Sequence, residues 1–232
     1  MMQQKDNCVV LLSGGLDSTV NLYEAHREHQ IELALTFDYG LRAAQKEIEL
    51  SQKICEMLGV PHKVIELPFF KDFTKTSLVN RSADVPTGVN CNISDFKTSM
   101  KTAKLVWVPN RNGIFINIAS GFAEGLGASF VIVGFNAEEG ATFPDNTQDF
   151  LTSLDGSLKY STATQVKVKS YTTQINKTEI VQRGMALKAP FDFMWPCYDS
   201  ASVRCGQCES CQRFERALDD AVKFRPMRDL EI

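Results

Sequence analysis

Cys8-Val9-Val10-Leu11-Leu12-Ser13-Gly14-Gly15-Leu16-Asp17-Ser18-Thr19 is the stretch whose reading decides the fold. The apolar run Cys8–Leu12 suits a strand covered on both faces, and a helical pattern follows over Ser18–Glu28. Between them, Gly14 and Gly15 let the backbone approach a ligand closely, and Ser18 and Thr19 add hydroxyl donors. The helix behind presents unpaired N–H groups and about half a positive charge. The result is an anion cradle at the carboxyl end of a first strand, where open α/β sheets bind their ligands. The plain alternative is a tight strand-to-helix turn with Asp17 or Ser18 as N-cap. Other phosphate loops fit badly: there is no G-x-x-x-x-G-K-[ST] and no G-x-G-x-x-G.

Outward from this stretch the pattern repeats. Ile31–Phe37 reads as a second strand, Arg42–Leu58 as an amphipathic helix through Ile48, Leu50, Ile54, Met57 and Leu58, and His62–Leu67 as a third strand after Gly59-Val60-Pro61. Further strands are expected at Ser129–Phe135 and Gln165–Lys169. Helices are expected from Pro109-Asn110-Arg111-Asn112 to about Leu126, over Asp145–Leu158, from Asn176-Lys177-Thr178-Glu179, and over Glu209–Val222. Alternating strands and helices give an α/β fold, a doubly wound parallel five-stranded sheet. Residues 79–104 are polar and aperiodic, and read as a loop or lid near the site or as an inert surface insertion.

Composition agrees. With 232 residues, 44% hydrophobic and 23% charged, the chain is expected to be globular. No apolar run approaches the roughly 20 residues of a membrane span, and Cys8–Leu12 is too short for a signal-peptide core, so a cytoplasmic protein is expected. A net charge of −3 argues against a broad nucleic-acid surface.

Seven cysteines in such a chain read as thiols or metal ligands before disulfides. Cys8 and Cys55 lie in apolar patterns and read as core. Cys197, Cys205, Cys208 and Cys211 cluster as C-x7-C-x2-C-x2-C, a spacing that suits one closed structural Zn²⁺ site per chain. A ferredoxin run would place its next cysteine at 215, followed by proline, where this chain has Glu215 and Arg216. From Cys197 to Ile232 six Lys/Arg meet seven Asp/Glu, a poor footprint for a nucleic-acid ribbon. The chain is therefore expected to divide into the domain that carries the anion cradle, residues 1–190, and a four-cysteine tail with a last helix, residues 191–232, which on its own has little apolar core.

Ser13–Thr19 resembles the S-G-G-x-D-S loop of the PP-loop ATP pyrophosphatases, whose fold is of the adenine nucleotide alpha hydrolase type. Together with the four cysteines, the chain over nearly its whole length is similar to the 7-cyano-7-deazaguanine (preQ0) synthase family. The likeness runs through Thr36-Phe37-Asp38-Tyr39-Gly40, Val108–Asn112, Gly134-Phe135-Asn136-Ala137-Glu138-Glu139, Phe143-Pro144-Asp145 and Cys197-Tyr198. Leu41 and Ala43 stand where the family commonly has Gln and His, Asn146-Thr147 where many members have Cys-Arg, and Pro196 where Ser is frequent.

The resemblance implies a ligase of queuosine or deazapurine biosynthesis. It would convert 7-carboxy-7-deazaguanine, ammonia and ATP with Mg²⁺ to the nitrile, through an adenylated acid and then an activated amide. It implies ATP binding by Val10, Leu11, Leu12, Ser13, Gly14, Gly15, Leu16, Asp17, Ser18, Thr19 and Val20, with adenine and ribose near Phe37 and Asp38. Ser13, Asp17, Ser18, Arg111 and Asp145 are the expected catalytic set: Arg111 for phosphate or the substrate carboxylate, Asp145 for the N–H donors of the base. A homodimer, small-molecule partners and no nucleic acid or membrane partner are also implied. The competing readings are a tRNA-modifying PP-loop enzyme, of thiolation or lysidine type, and a zinc-stabilised nucleotide-binding module without catalysis.

Overall fold

The computed structural model describes residues 5–93 and 95–223. The first half is β1 (Asn7–Leu11), α1 (Leu16–Glu28), β2 (Gln30–Asp38), α2 (Ala44–Leu58) and β3 (His62–Glu66). A one-turn α3 (Phe70–Phe73), α4 (Phe96–Val106) and α5 (Arg111–Gly125) follow. The rest is β4 (Phe130–Ile132), a one-turn α6 (Ala137–Gly140), α7 (Gln148–Ser161), β5 (Lys167–Lys169), α8 (Lys177–Ala186) and α9 (Glu209–Lys223). The sheet has the order β3-β2-β1-β4-β5, and every neighbouring pair is parallel. The doubly wound five-stranded sheet is therefore as expected. β1 lies between β2 and β4, so the chain turns opposite ways on leaving β1 and β4 and opens a crevice at their carboxyl ends.

Alternation along β1 feeds both faces. Val9 packs with Leu35, Ile116 and Ala119 on one side, and Cys8, Val10 and Leu12 with Leu22, Ile31, Ala34, Ile54 and Cys55 on the other. Cys8 and Cys55 are core, as read from the sequence. Removing a side chain as enclosed as Ile116, which has 0% exposure, costs about 2–5 kcal/mol on truncation to alanine. Among the described residues no helix is long and apolar enough to cross a membrane.

Three expectations need correction. Residues 79–104 are not one loop: they contain a 3₁₀ turn, Gly88–Asn90, and most of α4, capped by Asp95, whose carboxylate accepts from Thr98 N at 3.0 Å. The buried face of α4 is Ser99, Thr102, Ala103 and Val106, a helical spacing that hydropathy hides because half of it is hydroxylated. The helix expected from Asp145 starts at Gln148, because Pro144–Asn146 forms a 3₁₀ turn and Thr147 is the cap, accepting from Phe150 N at 3.2 Å. The strand expected from Gln165 begins at Lys167, since Gln165 is left-handed with φ +55°. The apolar side chains of the tail join a shared core: Met194, Phe214, Ala217 and Ala221 are buried with Leu16 and Val20 of α1 and Ile180 and Val181 of α8. Residues 224–232 of that segment lie outside the described residues.

Candidate active site

The crevice holds a cavity of about 260 Å³, lined by the ends of β1, β2 and β4, the start of α5, the turn after α6, and the segment entering the cysteine cluster. At its floor the β1–α1 loop closes on itself. Ser18 Oγ accepts from Ser13 N at 3.2 Å and lies 3.1 Å from Ser13 Oγ, and Gly14 is left-handed with φ +71°. Gly15 is the N-cap of α1 and offers no side-chain hydrogen bond, so neither Asp17 nor Ser18 caps this helix and its first amides are left for a ligand.

Gly134, just past β4, presses on that loop from the other side. A Cβ there would sit 2.5 Å from Ser18 N and 2.6 Å from Ser18 Cα. Only glycine permits the approach.

Lys177, the first residue of α8, is the charge at the centre. Its side chain is 5% exposed, and its Nζ lies 2.8 Å from Asp17 Oδ2 and 2.9 Å from Glu139 Oε1. Burial raises the Asp17 carboxyl above its ordinary value against the pull of Lys177, and Asp17 Oδ1 is buried with no hydrogen-bond partner. Glu139 is also opposed by burial, yet Lys177 draws its carboxyl below the ordinary value. Burial opposes the charge of Lys177, and the two carboxylates more than offset it, holding the ammonium protonated. A cation is normally disfavoured in the first turn of a helix. Here the turn is held by a capping box between Asn176 and Glu179, and Lys177 is delivered to the cavity.

A second group lies around Arg111. Its NH1 donates to Tyr39 Oη at 3.4 Å and its Nε to Asn112 Oδ1 at 3.3 Å, and no carboxylate among the described residues pairs with it at salt-bridge distance. Burial works against its charge, while Tyr39, Asp145 and Glu139 keep it protonated. Nearby, burial pushes the Glu47 carboxyl up to about 8, with Arg111 opposing the shift. Burial also raises Asp145, against Arg111 and the amide of Asn146.

All five residues expected to be catalytic, Ser13, Asp17, Ser18, Arg111 and Asp145, line this cavity. So do Leu11, Leu12, Gly15, Leu16 and Phe37. Val10, Thr19 and Val20 have 0% exposure and face the core, while Gly14 lies behind the loop with its carbonyl accepting from Trp195 N at 2.8 Å. Asp38 faces a separate cleft with Arg42, Arg81 and Asp199, and its Oδ1 accepts from Gly40 N. Lys177, Glu47 and Trp107 line the cavity without having been assigned a role from the sequence, and so do Tyr39, Glu139 and Phe143, which stand in the motifs of the family likeness. For Lys177 a signal existed, a lysine set inside a capping sequence. Leu41 and Ala43 are buried in the apolar core, and Asn146 and Thr147 serve the turn and the cap of α7.

The ligand sulfurs of Cys197, Cys205, Cys208 and Cys211 all lie within 4.8 Å of one another, close enough to hold one metal ion. Backbone amides already point at them: Cys205 N toward Cys197 Sγ at 3.5 Å, and Gln207 N and Cys208 N toward Cys205 Sγ at 3.4 and 3.3 Å. Such N–H···S contacts favour thiolates, the form a metal binds. Behind the cluster, Arg213 of α9 pairs with Glu138 at 3.1 Å and Glu209 at 2.7 Å, next to the Glu139–Lys177 pair.

A doubly wound parallel sheet with an uncapped, glycine-bearing helix N-terminus at its switch point defines an anion-cradling α/β protein. Residues 7–222 match the family model described as "Queuosine biosynthesis protein QueC". The chain belongs to this family. It is 56% identical over 221 residues to the 7-cyano-7-deazaguanine synthase of Bdellovibrio bacteriovorus, covering 95% of this chain and 96% of that one. It is 51% identical over 213 residues to the synthase of the same name from Carboxydothermus hydrogenoformans, covering 91% and 98%. Among solved structures, an NMN synthetase from Francisella tularensis aligns over 97% of this chain and 80% of that one, with a TM-score of 0.47 and 15% identity.

Proposed function

We propose that this chain is an ATP-dependent ligase that turns 7-carboxy-7-deazaguanine and ammonia into 7-cyano-7-deazaguanine. The observation that carries the reading is the cavity itself, where the Ser13–Ser18 loop and Lys177 meet Arg111 in one enclosed space. Open amides beside a buried lysine suit a departing pyrophosphate, and an arginine without a carboxylate partner suits the acid.

In this reading a carboxylate oxygen of the substrate, held by Arg111, attacks the α-phosphorus of ATP, and pyrophosphate leaves into the amide cradle. Ammonia then attacks the acyl carbon and AMP leaves with the activated oxygen, giving the amide. The amide oxygen attacks a second ATP in the same way. Loss of AMP and of the two nitrogen-bound protons leaves the nitrile. Glu47 lines the same cavity with its carboxyl pushed up to about 8, so at neutral pH it is mostly protonated and suited to donate a hydrogen bond rather than to take a proton. The unpartnered Asp17 Oδ1 and the neighbouring Glu139 fit a Mg²⁺ ion, which when bound would neutralise phosphate charge. Four thiolates fit a structural Zn²⁺, which when bound would close the Cys197–Cys211 knuckle. Phe37, against Phe115 at 4.2 Å, is the aromatic wall we assign to adenine. We place the enzyme in the cytoplasm as a homodimer with small-molecule partners only. We treat residues 1–190 as its catalytic part and 191–232 as its metal-bearing tail.

The test is mass spectrometry of the products formed by the purified protein with ATP, Mg²⁺, ammonia and the acid. The nitrile is expected, with AMP and pyrophosphate. No turnover of the acid, or thiolation or other modification of tRNA supplied in a parallel reaction in place of that turnover, would overturn the reading.

A further inference from the structure

We propose that Trp107 and Phe143 are the aromatic faces on which the flat deazaguanine ring system stacks, with Asp145 at its hydrogen-bonding edge. This rests on the function proposed above and adds to it the seat of the base. The two rings are parallel to within 7°, yet their centroids are 6.0 Å apart. The Phe37–Phe115 pair in the same cavity is tighter, at 4.2 Å and 10°, whereas Trp107 and Phe143 form a wider, parallel, offset pair. Both line the cavity and both are half-buried, so they are open to a ligand and held in place by protein.

Each ring is fixed from behind. Trp107 is the C-cap of α4, and α4 is tied to α9 by Thr102 Oγ1 donating to Glu209 Oε2 at 2.8 Å. Phe143 N donates to Glu139 O at 2.8 Å, and the 3₁₀ turn that follows carries Asp145 two residues on. Asn112 Nδ2 holds the Asp145 carbonyl at 3.3 Å, and Asp145 Oδ1 accepts from Asn146 Nδ2 at 3.1 Å. Among the described residues Asn146 is the side chain that donates to this carboxylate. A 2-aminopyrimidinone edge carries a ring N–H and an exocyclic amine side by side, which match a carboxylate. Arg111, beside Asn112, is then on hand for the carboxylate of the same substrate. Aromatic stacking with an edge contact is how proteins read an unpaired base.

The test is binding of 7-carboxy-7-deazaguanine and of Mg-ATP, measured separately by calorimetry on the full chain. Trp107→Ala and Phe143→Ala should each weaken the acid by about tenfold or more. Trp107→Phe and Phe143→Tyr, which keep a ring, should stay within about threefold, and Mg-ATP should bind all four variants as it binds the unaltered protein. The chain has two tryptophans and both line this cavity, so quenching of fluorescence by the acid should be reduced in Trp107→Phe, and lost only when Trp195 is also replaced by Phe, although binding persists. An active protein whose alanine variants bind the acid normally overturns the assignment. So does an equal loss for Mg-ATP, which would make the pair an adenine wall. An unaltered protein that never turns over the acid defeats the proposed function instead, a result readable before any variant is made.

Discussion

Replacing Lys177 by methionine removes one cation from between two carboxylates, and the cost should depend on pH in a defined direction. At 2.8 Å, and with an effective dielectric near 20, the Lys177–Asp17 attraction is about 6 kcal/mol before desolvation is counted. The pair to Glu139 contributes less, because that side chain is 32% exposed. Taking one member from a buried pair costs about 3–5 kcal/mol, since the other charge is stranded. We expect a loss in that range at pH 8.5. Without the lysine, nothing opposes the burial that already raises Asp17. Its folded-state value then lies well above its unfolded one, so the folded variant binds a proton that the unfolded chain releases. Stability must therefore fall as pH rises from about 4 upward, and be recovered on acidification. Urea denaturation at pH 5.5 and 8.5 measures this, and Asp17→Asn combined with Lys177→Met should be more stable at pH 8.5 than Lys177→Met alone. A loss below about 1 kcal/mol at pH 8.5, or the same loss at both pH values, would refute the reasoning.

Gly134→Ala forces a Cβ to within 2.5 Å of Ser18 N, so the phosphate loop must shift; turnover should drop sharply, with a stability cost of about 1–3 kcal/mol in thermal melts. Cys208→Ser should lower the metal content from about one zinc per chain and reduce folding yield, read by elemental analysis and by recovery of soluble protein. Glu47→Gln should flatten the decline in stability between pH 5 and 8, because a carboxyl held up to about 8 when folded favours the folded state only while it stays protonated. With ¹⁸O in the substrate carboxylate, label should appear in AMP; label confined to inorganic phosphate, with ADP as the nucleotide product, would mean attack at the γ-phosphorus.

What the sequence disclosed and what it hid follow from range. The β1–α1 loop was readable because strand, glycines and helix are contiguous, and the four cysteines because ligand spacing is local. The partner of Asp17 was not, since Lys177 reaches it across the fold and shows in the sequence only as an oddly placed cation. α4 was missed because serine and threonine make half its buried face. Val10, Thr19 and Val20, which the resemblance places with the nucleotide contacts, have side chains with 0% exposure, so contact there would be made by backbone. The resemblance grouped Phe37 with Asp38 at adenine and ribose, and alternation along β2 sends the two into different clefts.

The hydrogen bond from Trp195 N to the Gly14 carbonyl joins positions almost a chain length apart. During synthesis the phosphate loop is among the first segments to emerge, yet its backing strand of chain and Lys177 arrive nearly last. A nascent chain stopped before α8 would own the signature motif, Gly134 and Arg111, but neither Lys177 nor the Trp195 amide. The site thus matures only near the end of translation, so truncated products should lack it while exposing the apolar edge that α8 and α9 later cover.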